Sequence, residues 1–399
     1  MTNQLLSVEQ ARQTIIAEGL ARRGGVVESV PLEQALGRVL AEDIVSGIDV
    51  PPADNSAMDG YAVRAQEALL GVILPVSQTV AAGTLPAPLA VGSAARILTG
   101  AELPPGADAV VIQEEVERTG DVIELRAAAR PGDNIRPRGQ DIARHSRVLS
   151  AGHRLRPQDL GLLASINRDR VSVYQPIKVA LLSTGSELVE PGAELKPGQI
   201  YNSNRPMLAA LLSQCGCQVV SQDRVADDAA QTRQMLSRAA EGADLIVTTG
   251  GVSVGDEDHV KAAVQALGEL SLWKIAMKPG KPLAFGRVGS VPLVGLPGNP
   301  VSAYVAFQLL VRPLLQALGG QRVSELEYRQ LPAAFHWPRA GRRDEYARAR
   351  VSDGRVELYP QQSSGALSSV VWAECLVCIP AGASISPGEL VQVLPLAQW

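Results

Sequence analysis

The stretch "DLIVTTGGVSVGDEDHVKAAVQALG", residues 244–268, decides the fold, because it predicts a strand, a loop and a helix in succession. "DLIVTTGG" is typical of a buried strand, and "HVKAAVQALG" has the apolar spacing of a helix that buries one face. The loop between them combines three glycines, whose N–H groups favour an anion, with Asp256, Glu257 and Asp258, which repel one. The loop therefore suggests a ligand with both anionic and cationic parts.

The alternation of strand and helix continues on both sides of this stretch, over residues 177–321. Three further strands are predicted, in "IKVALLSTG", "CQVVSQDRV" and "VPLVGLPGNP". Three further helices are predicted, in "NRPMLAALLSQCG", "DDAAQTRQMLSRAAEGA" and "VSAYVAFQLLVRPLLQALGG". This order predicts a mostly parallel sheet covered by helices on both faces, with its ligand at the carboxyl ends of the strands.

The flanking sequence predicts three more domains, so the fold class is multidomain α/β plus β. They are a segmented helical domain (1–50 and 141–176), an inserted β-rich domain (51–140) and a C-terminal β domain (322–399). The helical domain is predicted from a Ser7–Gln10 capping box, a second short helix that ends in a strand-like run in "PLEQALGRVLAEDIV", and a helix that starts at Pro157. The first of these helices has an apolar face made of Ala11, Ile15, Ile16 and Leu20.

Composition narrows the function classes. The 399 residues carry a net charge of -4, 46% hydrophobic and 20% charged residues, which argues against a disordered chain and against a large nucleic-acid surface. We expect a cytoplasmic protein without a membrane segment, since neither a spanning apolar run nor a signal peptide stands out. The cysteine pairs Cys215/Cys217 and Cys375/Cys378 are expected to be buried thiols rather than a zinc or redox site.

Three glycine-bearing loops, "STGSEL", "TTGGVSVG" and "LPGNP", fall at the predicted carboxyl ends of strands. Each alone is most simply a tight turn, but together they indicate a ligand site. In "LWKIAMKPGKPLAF", Lys274, Lys278 and Lys281 predict a fixed cationic wall for phosphate or another oxyanion. Carboxylates beside phosphate-binding groups are expected where a divalent cation bridges the two, so a phosphorylated ligand with Mg²⁺ resolves the loop's mixed character.

Seven motifs in order resemble one family. They are "PPADNSAMDGYAVR", "ILTGAELPPGADAVV", "NIRPRGQDI", "LLSTGSEL", "TTGGVSVGDEDHV", "WKIAMKPGKPLAFG" and "GLPGNPVSA". Together they resemble the MoeA family of molybdopterin molybdenumtransferases, which includes the E domain of gephyrin-type proteins. The resemblance spans about residues 50–303, and the flanks are of the kind expected for the rest of the chain.

The resemblance implies an α/β domain of the MogA/MoaB type, a C-terminal β-barrel-like domain and an elongated homodimer whose site is shared between subunits. The implied substrates are molybdate and adenylylated molybdopterin. The dithiolene sulfurs displace oxygen from molybdate, the pyrophosphate bond is hydrolysed with Mg²⁺, and AMP leaves. Transient contact with the adenylyltransferase of the preceding step and with molybdoenzymes is also implied.

Residue roles follow from matching motif positions. The implied catalytic residues are Asp59, Asp141, Glu187, Asp227, Asp258, Lys274 and Lys278. The implied substrate-binding residues are Thr99, Arg136, Gly250, Gly251, Ser253, Lys281, Pro297, Arg348 and Ser368. Glu187 and Asp258 are the implied magnesium ligands.

The chain departs from the family pattern at Gln140, Ser186 and Asn202, where the family usually has an acidic residue. Each departure removes a negative charge and predicts weaker Mg²⁺ binding, but Asp141 and Glu187 remain, so we expect activity to survive. Two alternatives stay open at this point: an adenylyltransferase of the MogA type, whose loop resembles "TTGGTG", and a catalytically idle dimeric scaffold.

Overall fold

The computed structural model describes residues 5–22, 25–225, 228–251, 259–339 and 341–396. Among these residues the helices are α1 (Val8–Ala21), α2 (Pro157–Ser165), α3 (Asn204–Gln214), α4 (Ala229–Gly242), α5 (His259–Leu267), α6 (Pro300–Ala306), α7 (Arg312–Leu318) and α8 (Ser368–Trp372). A π-helical turn (Phe307–Val311) joins α6 to α7, and short 3₁₀ turns occur at Leu32–Gln34, Ala65–Glu67 and Gln113–Glu115.

The strands described in the first half of the chain are β1 (Leu5–Leu6), β2 (Val27–Pro31), β3 (Ile44–Val45), β4 (Asn55–Ser56), β5 (Gly60–Val63), β6 (Ile73–Val80), β7 (Ala94–Ile97), β8 (Ala109–Ile112), β9 (Val116–Thr119), β10 (Val122–Leu125), β11 (Ile135–Arg136), β12 (Arg147–Leu149), β13 (Arg170–Tyr174), β14 (Lys178–Thr184), β15 (Leu188–Val189) and β16 (Ile200–Tyr201). The strands that follow are β17 (Gln218–Val225), β18 (Leu245–Thr249), β19 (Gly268–Ile275), β20 (Met277–Lys278), β21 (Pro282–Val288), β22 (Val291–Leu296), β23 (Arg329–Pro332), β24 (Asp344–Ser352), β25 (Arg355–Leu358), β26 (Cys375–Ile379) and β27 (Leu390–Pro395).

The α/β domain is built on a seven-stranded sheet in the order β1-β19-β21-β22-β18-β14-β17. Strands β17, β14, β18 and β22 run parallel to one another, and β21 is antiparallel to both of its neighbours. Alternate residues of β14 enter different cores: Leu181 packs on the side of α3 and α7, and Leu182 packs on the side of α4 and α5. The predicted mostly parallel sheet with helices on both faces is confirmed, as is the multidomain α/β plus β class.

Helix α1 packs on this sheet domain, although the sequence groups residues 1–50 with a separate helical domain. Its predicted capping box is present: Ser7 Oγ accepts a hydrogen bond from the Gln10 backbone, and the Gln10 side chain accepts one from the Ser7 N–H. Ala11 and Ile15 are fully buried in the same core as α7, whereas Leu20 is 46% exposed, contrary to the predicted apolar face.

The second helix predicted in "PLEQALGRVLAEDIV" is wrong. In place of the helix the segment forms the turn Leu32–Gln34, whereas the strand-like run predicted at its end is confirmed as the short strand β3. Gly37 has a φ of +75°, and its N–H donates to the carbonyl of Leu155 at 2.8 Å. Because this backbone pairs with the distant segment 141–176, it is not available for the local hydrogen bonds of a helix. The two segments are joined further by β2–β13 and β3–β12, and α2 begins at Pro157 as predicted.

The two β-rich regions are sheets of different kinds. Within residues 51–140, six strands form one sheet in the order β8-β5-β7-β6-β10-β9. In the C-terminal domain β25, β24, β26, β27 and β23 lie side by side, and a bridge between Ala333 and Val356 joins the first to the last. This closure matches the barrel-like form implied by the resemblance.

One helical stretch among the described residues, Pro300–Leu318, is long and apolar enough to cross a membrane, with a mean hydropathy of 1.4. It is 83% buried within the protein. Its apolar character therefore serves the core of the α/β domain, where Phe307, Leu310 and Leu314 are fully buried.

The four cysteines are free thiols. Cys375 is buried and the other three are half-buried, so the expected burial is complete for Cys375 and partial for the rest. Burial raises the pKa of Cys375 to about 12 and the pKa of Cys378 to about 11. These thiols are therefore protonated at neutral pH.

Candidate functional site: a cationic cleft

A cleft of about 630 Å³ lies at the carboxyl ends of β18 and β22, where the C-terminal domain meets the α/β domain. Its lining consists of Gly250, Gly251, Lys278, Pro279, Gly280, Lys281, Pro282, Pro297, Gly298, Asn299, Ser302, Arg343, Gln362, Ser363 and Ser364. The position agrees with the rule that α/β sheets bind ligands beyond the carboxyl ends of their strands. Five predicted site residues meet here: Gly250, Gly251, Lys278, Lys281 and Pro297.

The glycine pair is explained by close packing. Gly250 and Gly251 have φ angles of +83° and +62°, and a Cβ atom on Gly250 would lie 2.5 Å from the carbonyl oxygen of Thr184. A side chain at either position would thus strain the backbone and strike the neighbouring loop. The Gly250 N–H donates to the carbonyl of Leu296 at 3.2 Å, so this donor is already used within the sheet edge.

A buried polar contact under the cleft holds two of its loops together. Asn204, the first residue of α3, is 8% exposed. Its Nδ2 donates to Thr249 Oγ1 at 2.9 Å and to the carbonyl of Gly298 at 2.7 Å. The prediction from sequence missed Asn204, although a signal exists: it shares the buried stripe of α3 with Leu208 and Leu212, where an amide needs a partner.

Two of the three lysines of the predicted cationic wall, Lys278 and Lys281, line the cleft, whereas Lys274 does not, and strand pairing between domains positions Lys278. Strand β20 runs parallel to β24, which places Lys278 beside Glu345. Lys278 Nζ donates to Glu345 Oε2 at 2.9 Å, and this carboxylate is 5% exposed. Arg343, which the sequence reading missed, donates from Nη1 to the carbonyl of Met277 at 3.0 Å. Lys281 lies on the same wall with its side chain exposed.

The charged side chains among the described lining residues of the cleft are all cationic. Three of the described residues that line it are cationic (Lys278, Lys281 and Arg343), and none of the described lining residues is Asp or Glu. Hydroxyl groups come from Ser302, Ser363 and Ser364. Lysine and arginine with neutral hydroxyl donors suit an oxyanion such as phosphate or molybdate.

Arg348 supports the loop that closes this cleft. It is 2% exposed, and its guanidinium donates to Ser369 Oγ at 3.1 Å and to the carbonyl of Ser363 at 3.3 Å. Its backbone N–H donates to Gln362 Oε1 at 2.9 Å. Burial lowers the pKa of Arg348 to about 10. This placement favours a positioning role over the direct oxyanion contact that the resemblance implies.

Four predicted residues lie in or beside the inserted domain and do not line the cleft. Asp59 accepts hydrogen bonds from the N–H and the hydroxyl of Thr99, both at 2.7 Å. These hydrogen bonds lower the pKa of Asp59. Arg136 and Asp141 are exposed. The Asp59–Thr99 contact joins residues that are 40 positions apart in sequence.

The remaining predicted site residues that the structure describes do not line the cleft. Glu187 is exposed beside Gly185, half-buried Lys274 lies in β19, and Ser368 is exposed at the start of α8. Asp227, Ser253 and Asp258, together with Asp256 and Glu257, lie outside the described residues.

The departure at Asn202 has a local structural role. Asn202 is 1% exposed, its Nδ2 donates to Glu190 Oε1 at 3.2 Å, and its Oδ1 accepts from the Arg205 N–H at 3.2 Å. It does not line the cleft.

Comparison with known proteins defines the class. Three family models match in order: the MoeA N-terminal region (domain I and II) over residues 6–167, a probable molybdopterin binding domain over 180–317, and the MoeA C-terminal region (domain IV) over 330–396. The chain is 37% identical to the molybdopterin molybdenumtransferase of Haemophilus influenzae, covering 98% of each chain. It is 36% identical to that of Synechococcus elongatus, covering 98% of this chain and 100% of the relative.

A solved structure agrees with this assignment. The molybdopterin biosynthesis MoeA protein from Pyrococcus horikoshii is 31% identical, and the match covers 98% of this chain and 100% of that one with a TM-score of 0.84. The chain therefore belongs to the molybdopterin molybdenumtransferase (MoeA) family, the transferase enzymes of molybdenum cofactor biosynthesis.

Proposed function

We propose that the protein inserts molybdate into adenylylated molybdopterin, with hydrolysis of the pyrophosphate bond and release of AMP. The observation that carries this proposal is the cleft itself: three cations and three serines converge, and the described lining holds no carboxylate. Both proposed substrates are oxyanions or phosphate derivatives. A site of this charge at the carboxyl ends of β18 and β22 suits them in position and in chemistry.

The cations of the cleft differ in the hydrogen bonds that restrain them. The side chain of Lys281 is exposed and can approach a ligand oxygen as a point charge, whereas Lys278 is restrained by Glu345. Arg343 adds a planar guanidinium next to Lys278, tied by one donor to the backbone. We propose that Lys281 and Arg343 bind the phosphates or molybdate and that Lys278 holds a fixed positive charge beside them.

The described residues contain no cluster of three or more metal-binding side chains. Mg²⁺ commonly uses only one or two carboxylates and completes its shell with water and substrate phosphates. The exposed carboxylate of Glu187, beside Gly185 at the end of β14, fits that requirement. We propose that Glu187, with Asp258, holds the Mg²⁺. When bound, this ion would neutralise negative charge on the pyrophosphate group.

Asp59, Thr99, Arg136 and Asp141 belong to the motif set but do not line the cleft of their own chain. We propose a homodimer in which these residues complete the cleft of the partner subunit. The Thr99 hydrogen bonds that lower the pKa of Asp59 make its carboxylate a weak base. Asp59 would accordingly orient water or substrate as an anion rather than remove a proton.

We further propose that the protein acts in the cytoplasm. Transient contact with the adenylyltransferase of the preceding step would supply its substrate, and contact with molybdoenzymes would remove its product.

The experiment that tests the cleft measures AMP release from adenylylated molybdopterin with molybdate and Mg²⁺. Lys281→Gln should raise KM about tenfold or more, since a charge-assisted hydrogen bond contributes about 1.5–3 kcal/mol. Lys178→Gln is the matched control, because Lys178 is exposed at the opposite, amino end of β14. Equal KM values for Lys281→Gln and wild type would refute the assignment of the cleft.

Subunit mixing tests the shared site. Asp59→Asn and Lys281→Gln proteins would each be impaired, and unfolding and refolding them together should restore about a quarter of the wild-type rate. Half of randomly formed symmetric dimers would be mixed, and each would hold one intact site. No recovery from verified mixed dimers would show that the residues of each site come from one chain.

A further inference from the structure

A second cleft lies at the opposite end of the parallel strands from the cationic cleft. Residues 177 and 217 line it and directly precede the parallel strands β14 and β17, so it is at the amino ends of those strands. Its other wall comes from the two-segment N-terminal domain, through Gly37 and Arg154. The wider part has a volume of about 800 Å³, and its lining shares no residue with the cationic cleft.

This cleft is strongly basic in a protein whose net charge is -4. Five arginines line it: Arg38, Arg154, Arg156, Arg312 and Arg322. No Asp or Glu occurs among the described residues of its lining. Such a concentration of one charge in a concave surface raises the local concentration of anions.

Two of these arginines form ion pairs with carboxylates that do not line the cleft. Arg38 pairs with Glu28, and Arg156 Nε donates to Asp159 Oδ2 at 3.0 Å. Arg154 is bound differently: its Nε donates to the carbonyl of Gly37 at 3.1 Å and its Nη2 to the carbonyl of Gln214 at 2.9 Å. Both acceptors are neutral, so these contacts fix the orientation of the guanidinium without cancelling its charge.

Arg154 and Arg312 both line the narrow part and the wide part of the cleft, so the two guanidinium groups border the same space. Burial is the main cause that lowers the pKa of Arg312 to about 10, and the positive charge of Arg154 adds a smaller lowering effect. Arg312 is therefore still protonated at neutral pH. The neighbouring thiols do not supply a negative charge, because burial raises the pKa of Cys215 and of Cys217. An anion between the two guanidinium groups would relieve their repulsion.

We propose that this arginine cleft binds a small phosphate-class dianion, either inorganic phosphate or a phosphate monoester, between Arg154 and Arg312. Guanidinium groups match the oxygens of phosphate with two parallel hydrogen bonds. Gln316 and Gln321 line the same cleft and add neutral donors. Because Arg154 comes from the N-terminal domain and Arg312 from α7, the bound anion would join these two parts of the subunit. The inference does not depend on the proposed function.

The test measures binding of radiolabelled inorganic phosphate to the full-length protein by equilibrium dialysis at constant ionic strength. Arg154→Gln should weaken the binding about tenfold or more, since it removes a charge-assisted donor pair. Arg154→Lys keeps the charge without the planar fork and should fall between the two. Arg118→Gln is the matched control, because Arg118 is exposed and likewise donates to a carbonyl, that of Gly120.

Phosphate also suits the cationic cleft, so Lys281→Gln is measured in parallel and should keep the Arg154-dependent binding. Competition by glycerol phosphate distinguishes a monoester site from one restricted to free phosphate, and either result supports the proposal. Circular dichroism and the oligomeric mass of each variant are compared with wild type. Unchanged phosphate binding by correctly folded Arg154→Gln and Arg154→Lys would overturn the proposal. So would loss of all binding in Lys281→Gln, or an Arg154-dependent change of oligomeric mass without phosphate binding.

Discussion

Replacing Asn204 by alanine removes a buried side chain that joins the ends of β18 and β22. Two hydrogen bonds are lost, to Thr249 Oγ1 (2.9 Å) and to the Gly298 carbonyl (2.7 Å). Each neutral hydrogen bond contributes about 0.5–1.5 kcal/mol, and an acceptor left buried without a partner costs about 1–3 kcal/mol. Asn204 Oδ1 is itself buried with no hydrogen-bond partner among the described residues, so its removal offsets part of this cost, and we expect the free energy of unfolding of the α/β domain to fall by about 1–3 kcal/mol.

The same substitution should also affect catalysis, since Gly298 lines the cationic cleft and Thr249 directly precedes Gly250. Loosening these two loops should raise KM for adenylylated molybdopterin more than it lowers kcat. Urea unfolding followed by tryptophan fluorescence measures the first effect, and initial rates of AMP release measure the second.

Asn202→Ala is the matched control for Asn204→Ala. Asn202 lies two residues earlier, is equally buried and also makes two hydrogen bonds, to Glu190 and to the Arg205 N–H. It does not line the cleft, and its side-chain hydrogen bonds do not involve Thr249 or Gly298, so its replacement should lower stability and leave KM unchanged. If Asn204→Ala changes the free energy of unfolding by less than about 0.5 kcal/mol, or if both variants raise KM equally, Asn204 does not position the cleft loops.

Three further predictions concern buried ionisable groups. Arg348→Met should raise KM but change the free energy of unfolding by less than about 2 kcal/mol, because the loss of a buried charge offsets the lost hydrogen bonds. A larger fall in the free energy of unfolding with an unchanged KM would contradict this prediction. Burial favours a higher pKa for Asp159, but hydrogen bonds from Arg156 and His153 outweigh it and lower the pKa. The stability that ionised Asp159 provides is complete above its ordinary pKa and is lost as the pH falls from there through the lower folded-state pKa. In urea unfolding, the difference in stability between wild type and Asp159→Asn should therefore stay constant from pH 7 to about pH 4 and shrink below that, and a difference that does not shrink below about pH 4 would refute the linkage. Burial raises the pKa of Cys378 to about 11, so little of this thiol is the reactive thiolate at pH 8. Ellman's reagent should therefore react with Cys378 about a hundredfold more slowly than with a free thiol, and equal rates would contradict its placement.

Local pattern was sufficient for the four parallel strands β14, β17, β18 and β22 of the central sheet, but it did not predict that β1, β19 and β21 complete the sheet. The apolar runs that become β14 and β18 are buried on both faces, and the strand and helix assignments of this domain follow from that pattern. The helix predicted in "PLEQALGRVLAEDIV" failed because its backbone bonds to residues more than 100 positions away, such as Leu155. Propensity over a short window carries no information on such a partner.

The packing partner of α1 was equally beyond the sequence pattern. Periodicity identifies Ala11 and Ile15 as a buried face but does not say which surface covers it. The structure places α1 against α7, where a Cβ on Gly19 would lie 2.7 Å from Ala317 Cβ. The small residues that permit this close approach are visible only once both helices are in place.

Only part of the candidate site could be predicted from the sequence. Lys278, Lys281 and the glycine pair stand out because charge and glycine are unusual in a strand-rich apolar segment. Glu345 and Arg343 were missed, since the pairing of β20 with β24 is what brings them to Lys278. That pairing joins Lys278 to a residue 67 positions away, and nothing in either segment alone predicts it.

The most direct test of the proposed reaction supplies the purified protein with adenylylated molybdopterin and Mg²⁺ and measures AMP release with and without molybdate. We predict molybdate-dependent release of AMP and formation of molybdenum cofactor that activates an apo-molybdoenzyme. Absence of molybdate-dependent AMP release, together with pyrophosphate formation from ATP and molybdopterin, would contradict the proposal and assign the protein to the preceding adenylylation step.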